Sequence, residues 1–189
     1  EMGHQLSDSM VRHIHTTLHA ALKDAVQAHV IPRNPTEGTT APKPNYKPKR
    51  ILTRAELDDF LTVVEQDEVW RDFFQTELMT GLRRGELLAL LWTDLDVENM
   101  TISVSKQVNR INGELVVSQP KTPNSIRRLA IPQRAVELLV EEHTKHPHSP
   151  YLFVSPKTGT MFDPDSFRHT HEKILKAIGA EHIRFHDLR

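Results

Sequence analysis

Thr80-Gly81-Leu82-Arg83-Arg84-Gly85-Glu86-Leu87-Leu88-Ala89-Leu90 decides how the rest of the chain is read. It has the pattern of a helix end, a tight turn and a new helix start. Gly81 suits the left-handed residue that closes a helix, where a Cβ is unfavourable. Leu87, Leu88, Leu90 and Leu91 then supply an apolar stripe for burial. Arg83 stands at the junction, where an anion can sit against backbone N–H groups that a helix start leaves unpaired. Glu86 follows three residues on, on the same helical face, and is placed to orient that arginine. Taken alone, these residues also describe a solvated basic pair on a helix turn. The stretches further along the chain separate the two readings.

Gln119-Pro120-Lys121-Thr122-Pro123-Asn124-Ser125-Ile126-Arg127-Arg128-Leu129-Ala130-Ile131-Pro132 reads as a turn that carries Lys121, followed by a strand. The last four residues are His186-Asp187-Leu188-Arg189. Together these residues suit attack on a phosphodiester. Negative charge builds on the non-bridging oxygens, and planar, always-charged guanidinium forks stabilise it best. Arg83 and Arg189 offer two, each at a helix start. The departing sugar oxygen needs a proton, which Lys121 on its turn supplies if its pKa is lowered. His186 lies on the same side of a helical turn as Arg189. It is placed to accept a proton from a nucleophile or to hydrogen-bond the phosphate. Asp187 reads as a helix-start acid.

T-G-L-R-x-G-E-L, then a K-T turn before an R-x-L-x-I-P strand, then H-x-L-R, in this order, closely resemble the tyrosine recombinase (phage integrase) family. The resemblance extends over nearly the whole chain and includes Val30-Ile31-Pro32-Arg33-Asn34-Pro35, which is similar to the exit from that family's core-binding domain. It implies that Arg83 and Arg189 are the two catalytic arginines, Lys121 the hairpin lysine, His186 the first histidine of the second motif, and Glu86 the acid supporting the first arginine. It further implies site-specific DNA recombination, as in integration or excision of phage or mobile-element DNA. In that reaction a tyrosine attacks the phosphate, forms a 3′-phosphotyrosyl link and releases a free 5′-hydroxyl. The bond energy is kept in the protein–DNA link, so no metal, ATP or other cofactor is implied. The implied partners are double-stranded DNA attachment sites, further copies of the chain in a tetramer on DNA, and accessory DNA-bending or directionality factors. The implied place is the bacterial cytoplasm, with the nucleoid.

The sequence departs from the family pattern in one respect. There the nucleophilic tyrosine, and a further histidine or tryptophan, come after H-x-L-R. Here the sequence ends at Arg189, and both tyrosines, Tyr46 and Tyr151, precede the motif. Neither is assigned as nucleophile, so the expectation is a chain that does not cleave DNA by itself. Two alternatives stay open at this point: a truncated DNA-binding relic of a recombinase, and a helical interaction module.

Composition sets outer bounds. A length of 189 residues allows one domain plus part of another. With 38% hydrophobic and 26% charged residues the chain can bury a core and is not of the disordered class. The absence of cysteine excludes disulfides and thiolate metal sites. No apolar run approaches the length of a membrane span, and no charged-then-apolar leader pattern opens the sequence. A net charge of −1 speaks mildly against nucleic-acid binding, so the distribution of charge matters more than its sum.

That distribution is lopsided in the linker that joins the two expected domains, where basic residues stand against Glu37 alone. Residues 7–29 read as one amphipathic helix, with Val11, Ile14, Leu18, Ala21, Leu22, Ala25 and Val26 recurring at three and four residues. Ser7 or Asp8 caps it and Pro32 stops it. Its apolar face is wider than one helix can bury, and residues 1–32 resemble the last helix of an incomplete core-binding domain. His15 and His19, four apart, read as solvated. Residues 33–52 form a Pro-rich linker, expected to be extended. Its Lys43, Lys47, Lys49 and Arg50 suit the phosphate backbone of a duplex passing between two domains.

Residues 53–189 read as the catalytic domain. Thr53-Arg54-Ala55-Glu56 is a capping box. A second helix is expected near 68–79, and the Arg83 turn and its helix follow. Segments within 101–108, 115–118 and 126–131 read as three strands of a small antiparallel sheet, with Asn112-Gly113 as a hairpin turn. Helices are expected at 133–145 and from Asp163, with Pro164 at the first position, and another from Arg184. The expected class is α+β: a mainly helical domain with a small three-stranded antiparallel sheet, preceded by one helix of a core-binding domain.

Overall fold

Ser7 and Thr53 each start a helix, and each helix belongs to one of the two units into which the chain divides, residues 1–49 and 50–189. The computed structural model describes residues 6–43, 48–119, 126–181 and 183–188. In the first unit α1 (Asp8–Gln27) begins where the Ser7 side chain accepts a hydrogen bond from the Met10 N–H. It ends at Ala28, and His29 takes a left-handed φ of 57°. No residue of α1 is buried; Met10, Val11, Ile14 and Leu18 are exposed, while Leu22, Ala25 and Val26 are half-buried, so the N-terminal part of the apolar stripe is uncovered within this unit.

The segment after Pro32 differs from the extended strap expected of it. Asn34 is buried and donates from Nδ2 to the His19 carbonyl at 3.1 Å. Its Oδ1 accepts from the Thr36 N–H at 3.0 Å and from the Thr36 hydroxyl at 2.7 Å. The Thr36 and Thr39 hydroxyls lie 2.8 Å from His19 Nδ1 and His15 Nε2. An asparagine side chain that bonds the backbone two residues on makes its own turn, and this outweighs the extended bias of Pro35. Residues 34–39 therefore fold back onto α1, and His15 and His19 are threonine-bonded rather than merely solvated.

In the second unit α2 (Arg54–Val64) starts at the expected capping box: the Glu56 carboxylate accepts from the Thr53 N–H at 2.8 Å and the Thr53 hydroxyl from the Glu56 N–H at 3.3 Å. Then α3 (Arg71–Thr80) begins later than expected. Asp67 Oδ1 accepts from the N–H groups of Val69 and Trp70, which holds a turn ahead of the helix. After α4 (Arg84–Leu88) and a 3-10 turn at Trp92–Asp94 come β1 (Leu95–Asp96), β2 (Thr101–Val104), β3 (Gln107–Ile111), β4 (Glu114–Ser118) and β5 (Arg127–Ala130). They are followed by α5 (Gln133–Thr144), α6 (Arg168–Ala177) and a 3-10 turn at Phe185–Leu188.

The α+β class and the small antiparallel three-stranded sheet are as read from the sequence, with strand membership revised. The sheet runs β1-β2-β5, with Thr101 opposite Ala130 and Val104 opposite Arg127. The β3–β4 hairpin, turning at Asn112 (φ 51°) and Gly113 (φ 86°), is a separate ribbon. Alternation across residues 101–108 spans both ribbons because the strand breaks at Ser105 and Lys106, where the Lys106 ammonium is drawn to 2.8 Å from Asp94. Likewise α6 starts after Phe167 and not at Pro164, because Asp163 spends its side chain and carbonyl on a local turn with Asp165 and Ser166.

An aromatic cluster joins the elements that matter for the site. Phe73 and Phe74 on α3 are fully buried against Trp70, Phe167 and Phe185. The Phe167 and Phe185 ring centroids lie 4.5 Å apart. The helix that ends at the Arg83 turn is thereby tied to the 3-10 turn that carries His186. Leu82, Leu87, Leu88 and Leu90 continue the core toward Ile102, Val104 and Leu139. Among the described residues no helix is long and apolar enough to cross a membrane.

Candidate active site at the Arg83 turn

Gly81 closes α3 at φ 62° and ψ 23°, and its N–H bonds the Glu77 carbonyl at 2.7 Å. Leu82 is then driven fully into the core. Arg83 is left extended at the start of α4, with its side chain 55% exposed. Behind it Glu86 is 2% exposed. Its Oε2 accepts from the Arg83 N–H at 2.9 Å and its Oε1 from Arg83 Nη1 at 3.0 Å. Glu86 thus meets Arg83 through both a backbone cap and an ion pair.

The same carboxylate meets a second arginine that sequence reasoning missed. Arg127 on β5 donates from Nη1 to Glu86 Oε1 at 3.0 Å and from Nη2 to Oε2 at 2.9 Å, a fork-to-fork pair. A signal for it was present: in R-x-L-x-I-P, Arg127 shares a strand face with Leu129, and a half-buried arginine calls for an acid. Burial pushes the Glu86 carboxyl up, but hydrogen bonds from Arg127 and from the backbone and side chain of Arg83 outweigh it and hold the pKa at about 2. Glu86 is therefore a fixed anion at neutral pH.

Gly85 lets β3 lie directly on α4. A Cβ at this position would stand 2.6 Å from the Val108 carbonyl oxygen. The approach forms one wall of a cleft of about 360 Å³ lined by Arg83, Gly85, Gln107, Asn109, Phe185 and His186 among others. His186 and Arg83 face this common space. Asp187 points elsewhere, accepting from Arg184 Nε at 2.7 Å, in keeping with a local structural acid. Lys121 and Arg189 lie outside the described residues, as do Lys47 and Tyr46. Lys43 and Lys49 are exposed in the first unit. Arg50, in the second, pairs with Glu56 beside the α2 cap. Tyr151 forms a bridge with Leu91 and does not line the cleft.

Residues 50–189 match the phage integrase family. The chain belongs to that family. Among curated relatives, this integrase-family chain is 31% identical over 196 residues to the ICEBs1 integrase of Bacillus subtilis (strain 168), covering 97% of the chain and 53% of the relative. It is 28% identical over 184 residues to the integrase of Mycobacterium phage L5, covering 94% and 49%. The chain thus spans about half the length of these relatives. Among solved structures, the Tn1549 transposon integrase in complex with a circular intermediate DNA superposes with a TM-score of 0.81 at 23% identity, covering 97% of this chain and 65% of that one. A lambda integrase tetramer bound to a Holliday junction superposes at 0.60 and 19% identity, covering 93% and 48%. At such identities these two likenesses speak for the fold.

Proposed function

We propose that this chain is the part of a site-specific DNA recombinase that grips the scissile phosphate, in a reaction that integrates or excises phage or mobile-element DNA through a 3′-phosphotyrosyl intermediate. The observation that carries the reading is the Arg83 guanidinium, set at the mouth of a cleft by a buried, ionised Glu86, with His186 lining the same cleft. Arg83, joined by Arg189, stabilises the charge that grows on the non-bridging oxygens. The tyrosine oxygen bonds to phosphorus as the bond to the 5′ oxygen breaks. Lys121 gives its proton to that departing oxygen, and His186 takes the proton of the tyrosine. Neither Tyr46 nor Tyr151 is the nucleophile, so the 189 residues bind and orient the phosphate without cutting it.

In this reading residues 1–32 are the last helix of a core-binding domain whose other helices cover the apolar stripe of α1. Within residues 33–52, Lys43, Lys47, Lys49 and Arg50 lie at the phosphates of the duplex backbone. The partners are attachment-site DNA, further copies in a tetramer, and accessory DNA-bending or directionality factors.

The test is fluorescence anisotropy of the 189-residue chain on labelled duplex DNA across a salt series. Binding is expected to weaken steeply as salt rises. Arg83→Ala should cost on the order of tenfold or more in affinity, the value of a charge-assisted contact. Electrophoresis under denaturing conditions should show no covalent adduct. Salt-independent binding, or none, would overturn the DNA reading; an adduct on Tyr46 or Tyr151 would overturn the assignment of the nucleophile.

A further inference from the structure

We propose that Arg127 is a positioning residue of this site: its fork locks Glu86, and through Glu86 the Arg83 guanidinium, to strand β5. Its bearing on strand exchange rests on the function proposed above, but the lock itself rests on geometry. Arg83 and Glu86 are neighbours on one turn, and a turn of that kind can rock as a unit. Arg127 comes from β5, 41 residues away in sequence, and spans both carboxylate oxygens. Its strand is held by the pairing of Val104 with Arg127 and of Thr101 with Ala130. Among the described residues the charged groups in contact with Glu86 are Arg83, from the start of its own helix, and Arg127, from β5.

The division of labour follows from exposure. Glu86 is 2% exposed, Arg127 33% and Arg83 55%. Among the described residues the carboxylate accepts from both nitrogens of the Arg127 fork and from the Arg83 N–H and guanidinium. Of the Arg83 pair, one bond comes from the backbone N–H and one from the guanidinium, through Nη1. Arg127 therefore satisfies the buried anion with a full fork, so that Arg83 holds its place with one nitrogen and presents the rest of its guanidinium to the cleft. It also connects the Arg83 turn to β5, the strand that follows Lys121 in the sequence. A lysine at position 127 would keep the charge without the bidentate geometry.

The experiment uses the whole 189-residue chain with ¹³C-labelled glutamate and ¹⁵N-labelled arginine, comparing wild type with R127Q, R127K, E86Q and R127Q/E86Q by NMR. In the wild type Glu86 should titrate near 2. In R127Q its midpoint should rise by roughly one to three units, the span expected when an adjacent guanidinium is lost, and in R127K by less. The Arg83 Nε–H should exchange with water faster in R127Q than in wild type. In R127Q/E86Q it should exchange as in E86Q alone, because Arg127 acts through Glu86. General loosening of the fold would not produce that equality. An unmoved Glu86 midpoint, unchanged Arg83 exchange, or additive effects in the double variant would overturn the proposal. Should R127Q not fold, R127K decides on the same two signals. Absence of duplex binding by the wild type would defeat the DNA reading and leave these signals to judge Arg127 independently.

Discussion

Glu86 and His171 are both buried and titratable, and the fold treats them oppositely. Glu86 has two arginines, so its stability contribution is fully present above the ordinary carboxylate value of 4.5 and is lost as pH falls toward about 2. His171, 5% exposed, packs against Phe74, Phe167 and Phe185, and its Nε2 has no hydrogen-bond partner among the described residues. Burial pushes its pKa down to about 4, against a small opposing pull from Glu172. The unfolded chain then binds a proton more readily than the native one between the ordinary value of 6.5 and about 4. Stability is therefore whole above that window and declines through it as pH falls. Urea denaturation should show a loss of about 2 kcal/mol between pH 8 and pH 5 from this group. His171→Phe, which suits the aromatic packing, should remove most of that slope. An equal slope in the variant would refute the assignment.

At the scale of elements, α4 has five residues, too few to persist by helix propensity. Its place comes from Leu87 and Leu88 in the core, the Glu86 bonds, and close contact with β3 across Gly85. Alanine normally stabilises a helix over glycine by up to about 1 kcal/mol. Here the added Cβ meets backbone, which cannot swing aside as a side chain can. Gly85→Ala is expected to destabilise by about 1–3 kcal/mol and to shift the amide resonances of Gln107, Val108 and Asn109. A higher melting temperature for this variant would contradict the packing argument. Because β3 lines the cleft, the same change should also alter the space beside Arg83 and His186.

At the scale of the whole molecule, the aromatic and leucine core lies within residues 50–189, whereas α1 has no buried residue. The larger unit should therefore fold without the smaller. Residues 50–189 expressed alone are expected to keep the near-ultraviolet circular dichroism of Trp70 and Trp92 and to melt within a few degrees of the full chain, since the core cluster lies within them. A featureless spectrum would show that the first unit supports the second.

Local chemistry made much of this legible in the sequence. Gly81 had to be left-handed, Thr53 and Glu56 had to cap a helix, and Asn112-Gly113 had to turn a hairpin, because each depends on a few consecutive residues. The order of T-G-L-R-x-G-E-L, the K-T turn and H-x-L-R was enough to point to the family, to the α+β class and to Arg83, Glu86 and His186 as residues of interest. What tertiary structure alone decided depends on contacts between distant segments. Arg127 reaches Glu86 across 41 positions. The hairpin is bypassed so that β5 pairs with β2. Asn34 turns the supposed strap back onto α1 through a carbonyl 15 residues earlier. Periodicity reports which face of an element is buried, but not which partner buries it; that choice is made by packing, where one buried carboxylate must find its charges wherever the fold brings them.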